Sequence, residues 1–423
     1  YEDLHEAVKG LSSAEIRGLL NVDSYENLMH SAREEDLPLN TYCLRQISKS
    51  IRSAKETSIS YNYIFDPITV TFKGGEKEPF VRWYSYLEGY SPEFVENIID
   101  RYVPNAKRIL DPFAGTGTTA FAVSELGKEA YFCEINPVLQ FISLTKIQIR
   151  MAKSVIRWDL AARLDEIASR LDMLNQHEPD LALDATYKNV FGNSQFFDQD
   201  DYLSVLRLRN WADEIRISNP LLSDLFMIAI LSSLVPASKM KRAGDLRYKT
   251  NEELFKENID LLRLLETNLK NIASDVKGDV NGLKVAPILI CESAKSLSNV
   301  PDLSLDAVIT SPPYVNGTNY FRNTKIELWF MRCLQDSPDL ASFRAQAVTA
   351  GINDVTMANA TKSENRNVRK LISELERNAY DVRIPKMVDS YFSELTSIFS
   401  AIKPHLNKNA TVAIDIGDSE YGG

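Results

Sequence analysis

Residues 108–119 read Arg108-Ile109-Leu110-Asp111-Pro112-Phe113-Ala114-Gly115-Thr116-Gly117-Thr118-Thr119. The apolar start of this segment predicts a short β-strand, and the residues after Thr119 are typical of an α-helix. Gly115 and Gly117 lie between them, and glycine permits positive φ angles and a close approach of ligand to backbone. A glycine loop between a strand and a helix lies at the carboxyl end of a sheet, where α/β folds bind ligands. We therefore predict an α/β fold with a binding site at this corner.

The next predicted strand restricts the choice of ligand. Residues 129–133 are followed by Glu134-Ile135-Asn136-Pro137. An acidic residue about 20 positions after a glycine loop is placed to bind ribose hydroxyls. The loop lacks a third glycine and the Gly-Lys-Ser/Thr ending of phosphate-binding loops, which disfavours a nucleoside triphosphate. The pattern indicates a nucleoside that needs few phosphate contacts.

A second loop follows the apolar run of residues 306–309 and has the sequence Thr310-Ser311-Pro312-Pro313-Tyr314. Two prolines fix φ and remove two amide donors, so we predict a rigid loop that leaves the end of a strand. A hydroxyl, backbone carbonyls and an aromatic face are presented together, and this set suits a planar ring that carries an amine. Pro-Pro-Tyr alone is only a turn in most proteins, so it indicates a binding site only because the glycine loop accompanies it.

Together, DPFAGTGTT, EINP and TSPPY resemble the S-adenosylmethionine-dependent DNA amino-methyltransferases of bacterial restriction–modification systems. Ser311 is most similar to the cytosine-N4 branch, because adenine-N6 enzymes more often have Asp or Asn there. The resemblance covers roughly residues 78–150 and 284–416. It implies a Rossmann-like class I methyltransferase sheet, S-adenosylmethionine as cofactor and double-stranded DNA as substrate. It also implies a cognate restriction endonuclease as partner and a cytoplasmic location.

The resemblance assigns roles to particular residues. Ser311, Pro312, Pro313 and Tyr314 would be catalytic: the Ser311 hydroxyl and the Pro312 carbonyl would orient the target amine, and Tyr314 would stack on a flipped-out base. The implied cofactor-binding residues are Tyr90, Ser91, Asp111, Pro112, Phe113, Ala114, Gly115, Thr116, Gly117, Thr118, Thr119, Glu134, Asn136, Glu292 and Ser293.

Three of these residues have alternative interpretations. Glu292 stands where the family more often has Asp, and it could instead be an acidic residue near a helix start. Tyr90 belongs to an aromatic cluster, which is more often core than cofactor pocket. Ser91 precedes Pro92 and an apolar stripe at helical spacing, so it is also a predicted helix N-cap.

The pattern of the chain predicts four parts. Residues 1–75 form a helical N-terminal extension, 76–154 the first half of the methyltransferase domain, 155–282 a helical insertion, and 283–423 the second half. A parallel sheet needs only a short crossover between neighbouring strands, so the long helical region is an insertion. The last two strands expected of this fold are absent from the sequence, and we expect the second half to be truncated.

The insertion contains the most basic segment, residues 238–249, with five basic residues and one acidic residue. The net charge of −10 does not by itself disfavour DNA, because counterion release depends on local basic patches. We predict that this segment contacts DNA, although an ordinary solvated loop is the alternative. The predicted contacts are Lys239, Lys241, Arg242, Arg247 and Lys249.

The composition argues against a membrane protein, a secreted protein and a metal-binding protein. The 423 residues are 44% hydrophobic, enough for a large core, but contain no run of eighteen apolar residues and no signal-peptide pattern. We therefore predict neither a membrane span nor a signal peptide. Four scattered cysteines without C-x-x-C spacing predict reduced thiols, and four histidines without ligand spacing predict no metal site.

Three alternatives to a cytosine-N4 enzyme stay open. An adenine-N6 enzyme uses the same chemistry. An RNA guanine-N2 methyltransferase has similar loops but usually carries an RNA-binding module at its amino end, and nothing in residues 1–75 resembles one. A non-catalytic cofactor-binding or DNA-binding subunit is disfavoured by the intact Ser311, Tyr314, Gly115 and Gly117.

Overall fold

The computed structural model describes residues 71–85, 89–243, 245–257, 259–315, 320–355 and 362–417. The predicted helical extension, residues 1–75, lies almost entirely outside these ranges.

Five strands form one parallel sheet. They are β1 (Arg108–Asp111), β2 (Glu129–Cys133), β5 (Ile288–Cys291), β6 (Leu305–Thr310) and β7 (Leu406–Ile414), in the order β5-β2-β1-β6-β7. Two short strands, β3 (Met240–Lys241) and β4 (Arg247–Tyr248), pair separately as an antiparallel hairpin. The parallel sheet confirms the predicted α/β, Rossmann-like class.

Fourteen α-helices connect and cover these strands in the part of the chain that the structure describes. They are α1 (Pro92–Tyr102), α2 (Thr118–Glu125), α3 (Pro137–Met151), α4 (Ser154–Ser169), α5 (Leu181–Phe191), α6 (Gln199–Ser218), α7 (Pro220–Ala237), α8 (Asn251–Lys256), α9 (Leu261–Gly278), α10 (Tyr320–Asn323), α11 (Lys325–Phe330), α12 (Ser337–Gln346), α13 (Arg366–Asn378) and α14 (Arg383–Ile402).

The order of the strands positions the cleft. The chain runs from β1 outward to β2 and β5, and then returns to place β6 on the other side of β1. The connections therefore diverge between β1 and β6, which leaves a crevice at the carboxyl ends of these two strands. The glycine loop follows β1 and the proline loop follows β6, so both predicted loops border this crevice.

Alternate residues of the central strands pack against different layers. Ile109 of β1 and Ile309 of β6 lie in one core with α1 and α2. Leu110 and Val308 face the opposite side, where α14 covers them. Burial on both faces explains why these strands are short, continuous apolar runs and not alternating polar and apolar residues.

The helices between β2 and β5 build a third core. Helices α3, α4, α5, α6, α7 and α9 contribute to it, together with α11 from the second half of the chain. Helix α7 is long and apolar enough by composition to cross a membrane, but most of it is buried against α3, α6 and α9. A fully buried helix of a large core is apolar on all sides.

The boundaries of the four predicted parts of the chain stay a prediction.

Side-chain caps begin two of the helices whose first residues lie near the cleft, α1 and α3. The Ser91 hydroxyl accepts a hydrogen bond from the Phe94 amide at 3.3 Å, and Pro92 is the first helical residue of α1. Asn136 accepts from the Val138 amide at 3.1 Å at the start of α3. Side-chain oxygens at this position satisfy amides that no helical carbonyl reaches. The predicted N-cap at Ser91 is therefore confirmed.

Candidate active site

A cleft lies at the carboxyl ends of the strands and encloses about 1150 Å³ of empty space when the solvent at its mouth is included. Both predicted loops line it. The predicted residues at its surface are Tyr90, Pro112, Phe113, Ala114, Gly115, Thr116, Thr118, Glu134, Asn136, Glu292, Ser293, Ser311, Pro312, Pro313 and Tyr314. Segments separated by more than 200 positions in the sequence thus share one cavity.

The two glycines of the first loop have different tasks. Gly115 has φ +55° and lines the cleft, and its amide donates to Glu134 Oε2 at 2.7 Å. Gly117 has φ +88° and lies behind the loop. A Cβ atom at Gly117 would lie 2.7 Å from Cε2 of Phe121, closer than packed side chains allow. Gly115 therefore leaves the cleft open, while Gly117 lets helix α2 pack against the loop.

Glu134 fastens the glycine loop to the end of β2. Its Oε2 holds the Gly115 amide, and its Oε1 accepts from the Asn136 amide at 2.7 Å. The side chain is buried, and burial raises its pKa to about 8 in spite of these two backbone donors. A carboxyl with a pKa near neutrality in a cleft is typical of a functional site.

Asp111 connects the two loops. Its Oδ1 accepts from the Phe113 amide at 3.0 Å and from the Thr310 hydroxyl at 2.6 Å, and its Oδ2 accepts from the Tyr90 hydroxyl at 3.3 Å. Asp111 is only 2% exposed, and burial raises its pKa. The end of β1, the end of β6 and the segment before α1 therefore meet at one carboxyl group.

A chain of hydrogen bonds organises the proline loop. The Ser311 hydroxyl donates to the Tyr314 oxygen at 3.0 Å, and the Tyr314 hydroxyl donates to Asp415 Oδ2 at 3.1 Å. Gly417 packs against the ring, since a Cβ atom there would lie 3.0 Å from Cε2 of Tyr314. Burial raises the pKa of Asp415. Asp415, which directly follows β7, was not among the predicted site residues, because only the tertiary fold brings it to Tyr314.

Four predicted cofactor residues support the cleft from behind and do not line it. They are Ser91, Asp111, Gly117 and Thr119, of which Thr119 shares a hydrogen bond with Tyr90. Other lining residues were not among the predicted site residues, among them Tyr320, Phe321, Arg344 and Asp354. Burial raises the pKa of Asp354 to about 6, and Arg344 Nε lies 4.0 Å from its carboxylate. In the ranges that the structure describes, no group of three metal-ligating side chains converges.

The basic segment folds as the β3–β4 hairpin, and carboxylates surround its cations. Lys239 lies 2.7 Å from Asp198, Lys241 lies 2.8 Å from Glu257, and Arg247 lies 2.7 Å from Glu253. The Lys249 ammonium is buried and donates to a backbone carbonyl. Sequence counting saw one acidic residue because these carboxylates lie outside residues 238–249. The DNA-binding role of the five cations stays a prediction.

Arg242 differs from the other four because its ion-pair partner is a completely buried carboxylate. Its guanidinium contacts Glu327, donates to the Tyr84 hydroxyl at 2.8 Å and donates from Nε to the Asn323 carbonyl at 3.3 Å. Glu327 is completely buried. The hairpin, α10, α11 and the segment before α1 are thereby joined at one ion pair.

We expect Arg242→Met to destabilise the fold by about 3 to 5 kcal/mol, because Glu327 would keep the Tyr84 hydroxyl as a donor but become a buried charge without a counterion. The measurement is urea unfolding followed by tryptophan fluorescence. Arg242→Met combined with Glu327→Leu should recover much of the loss. Arg247→Met is the matched control, since its ion pair is exposed and contributes little. A stable Arg242→Met variant would contradict the structural role and favour a contact with DNA.

Three comparisons with known proteins bear on this site. The family described as "DNA methylase", of N6 and N4 methyltransferases, matches residues 46–143, which include the glycine loop and Glu134. The chain is 22% identical to the type II methyltransferase M.BsoBI of Geobacillus stearothermophilus, covering 85% of this chain and 78% of that protein. It is 25% identical to the type II methyltransferase M.AvaI of Nostoc sp. (strain PCC 7120), covering 78% and 72%.

The type II methyltransferase M.AvaI of Anabaena variabilis matches to the same extent as the Nostoc protein. No solved structure matches the chain. The family and the curated relatives agree in the chemistry that their descriptions state. They support a DNA methyltransferase of the N4/N6 amino-methyltransferase family for this chain.

Proposed function

We propose that the chain is a site-specific DNA methyltransferase that transfers a methyl group to the N4 amine of cytosine, in a base flipped out of the duplex, and so protects host DNA from a cognate restriction enzyme. The observation that carries this proposal is the single cleft in which the glycine loop faces the proline loop. The hydrogen bond from Thr310 to Asp111 fixes the distance between the two loops.

The chemistry of the cleft fits S-adenosylmethionine as cofactor. Glu134 offers carboxylate oxygens to ribose hydroxyls, and Glu292 lies at the end of the adjacent strand, where it would accept from an adenine amine. Backbone at Gly115 and the nearby Tyr90 would contact the amino-acid end. When bound, the cofactor supplies a methyl group on a sulfonium, which is already a good leaving group.

The hydrogen-bond chain prepares Ser311 to accept from an amine. Its own proton is donated to Tyr314 or to Asp415, so the lone pairs of the hydroxyl are left for a donor in the cleft. The Pro312 carbonyl is a second acceptor without a competing amide at the same residue. Two acceptors would hold the two protons of the amine and aim its lone pair, which is otherwise delocalised into the ring.

Asp415 gives the departing proton a destination. An amine that gains a methyl group must lose a proton. That proton can pass to Ser311 while the Ser311 proton moves to Tyr314 and the Tyr314 proton moves to Asp415, along the 3.0 Å and 3.1 Å hydrogen bonds. A carboxylate with a raised pKa is suited to this role, because it binds a proton more readily near neutral pH.

Ser311 is the residue that favours cytosine over adenine. The choice of base rests on its resemblance to the cytosine-N4 branch, and an adenine-N6 enzyme would use the same arrangement of acceptors. The deciding experiment is mass spectrometry of nucleosides from DNA incubated with the protein and isotopically labelled cofactor. We expect labelled 4-methylcytosine. Labelled 6-methyladenine would establish the alternative, and absence of any product would refute the methyltransferase.

We expect Ser311→Ala to slow methyl transfer by about 100- to 1000-fold, corresponding to about 3 to 4 kcal/mol for the loss of one oriented hydrogen-bonding group. Cofactor affinity should stay close to that of the parent chain, because Ser311 contacts the target side of the cleft. Single-turnover methylation and calorimetric titration measure the two effects. Ser397→Ala, on the exposed side of α14, is the matched control. Unchanged turnover would remove Ser311 from the reaction.

The pH dependence of methylation tests Asp415. Its carboxylate accepts a proton only when ionised, and its raised pKa means that activity should fall as the pH decreases through that value. We expect Asp415→Asn to be slow at all pH values and to lack this acidic limb. The measurement is the single-turnover rate between pH 5 and 9. An acidic limb that persists in Asp415→Asn would assign it to another group.

Cofactor binding should depend on the ionisation of Glu134. Its folded-state pKa of about 8 means that the free protein holds this carboxyl mostly protonated at neutral pH. Because the carboxylate accepts hydroxyl donors better than the acid, binding should tighten as the pH rises towards 8, by up to about tenfold per unit. Glu134→Gln should lose this dependence in calorimetric titrations. An equal slope in both proteins would show that the cofactor's own groups cause it.

A further inference from the structure

Two cysteines meet at the edge of the cleft. Cys133 ends β2 and Cys291 ends β5, and the two residues are direct partners in the parallel register. Their sulfur atoms are 3.0 Å apart, although 158 positions separate them in the sequence. Each is followed directly by a carboxylate of the site, Glu134 and Glu292 respectively. The thiols therefore lie at the strand ends that position both acidic groups.

The two thiols have different environments. Cys133 is completely buried and contributes to the wall of the cleft, while Cys291 is partly exposed. The two sulfur atoms share a hydrogen bond in which either thiol can be the donor, and the Cys291 thiol also donates to the Ser293 carbonyl at 3.3 Å. With Cys133 as the donor to Cys291, the shared bond lowers the pKa of Cys291 and raises that of Cys133. Thiolates react with oxidants, whereas thiols do so slowly. Cys291 is thus the sulfur that an oxidant attacks first, and Cys133 is the sulfur that can resolve the product.

Cys333 offers a comparison within the same chain. It is partly buried at the end of the helical core, where desolvation raises its pKa, and its thiol donates to the Met331 carbonyl at 3.9 Å. A thiol whose pKa is raised stays protonated and reacts slowly. Among the cysteines that the structure describes, only Cys291 combines a neighbouring thiol, partial exposure and a lowered pKa.

We propose that Cys133 and Cys291 form an oxidation site, at which a peroxide converts the thiol pair to a disulfide and thereby weakens cofactor binding. The oxidation step does not depend on the proposed function. The effect on binding does, since it assumes that the cleft holds S-adenosylmethionine.

The reaction balances with hydrogen peroxide as the oxidant. The Cys291 thiolate attacks one peroxide oxygen, so that an S–O bond forms, the O–O bond breaks and hydroxide leaves. The Cys133 sulfur then attacks the Cys291 sulfenic acid: the S–S bond forms, the S–O bond breaks, and the second oxygen leaves as water with the Cys133 proton. In total the two thiols lose two electrons and two protons, and the peroxide becomes two molecules of water.

The disulfide would change the shape of the cleft. Formation of the bond shortens the distance between the two sulfur atoms from 3.0 Å to about 2.0 Å. The side chains of Cys133 and Cys291 must therefore move at the ends of β2 and β5. Glu134 and Glu292 follow immediately, and Glu134 also holds the Gly115 amide. A displacement at this point disturbs the glycine loop and both proposed cofactor carboxylates.

The first experiment maps the bond in the full chain. The protein is treated with hydrogen peroxide, its free thiols are alkylated, and unreduced peptides are identified by mass spectrometry. We expect a peptide pair linked through Cys133 and Cys291, which is lost in Cys291→Ser and retained in Cys333→Ser. If peroxide oxidises Cys291 to higher acids without any linked peptide, the proposed pair is refuted.

The second experiment measures S-adenosylmethionine affinity before oxidation, after oxidation and after reduction with dithiothreitol. We expect at least a tenfold loss that reduction reverses, and no loss in peroxide-treated Cys133→Ala. A linked peptide with unchanged affinity would overturn the coupling to the cleft. Failure of the proposed function gives a different result: the reduced protein would not bind the cofactor, while the linked peptide would still form.

Discussion

The buried carboxyl of Asp111 is the point on which the arrangement of the cleft depends. It receives hydrogen bonds from Thr310, which is 199 positions away in sequence, and from Tyr90, as well as from its own loop. A buried carboxyl is costly unless donors satisfy it, so each donor is needed. Because these donors come from three segments, the carboxyl fixes the glycine loop, the proline loop and the start of α1 relative to one another.

Carboxyl groups with a raised pKa also follow two other strands of the sheet. Glu134 follows β2 and Asp415 follows β7, and burial raises the pKa of both. Desolvation raises the pKa of all three carboxyls, while backbone and hydroxyl donors oppose the shift. Glu134, whose pKa is about 8, can therefore exchange a proton near neutral pH. The arrangement suits a reaction that only needs an amine to be oriented and deprotonated.

Sequence patterns predicted the elements that depend on local rules. Strands β1 and β2, the Ser91 cap and the two loops follow from apolar runs, glycines and prolines within a few residues. The basic segment shows why other features escaped. Its charge count ignored Glu253, Glu257 and Glu327, which the fold brings to the hairpin. Arg344 and Asp354 escaped for the same reason, because only the tertiary fold places them in the cleft.

These interior contacts also give the hairpin a new interpretation. Asn136 lines the cleft and donates to the Thr324 hydroxyl at 2.9 Å, next to α10. Asn323 of the same turn donates to the Ala243 carbonyl at 3.1 Å, and Arg242 returns a bond to the Asn323 carbonyl. The hairpin is thus attached through α10 to Asn136, two residues after Glu134. The segment that was predicted to bind DNA because of its positive charge therefore connects the cleft to the helical core. Any surface that it presents to DNA has a fixed position relative to the cleft.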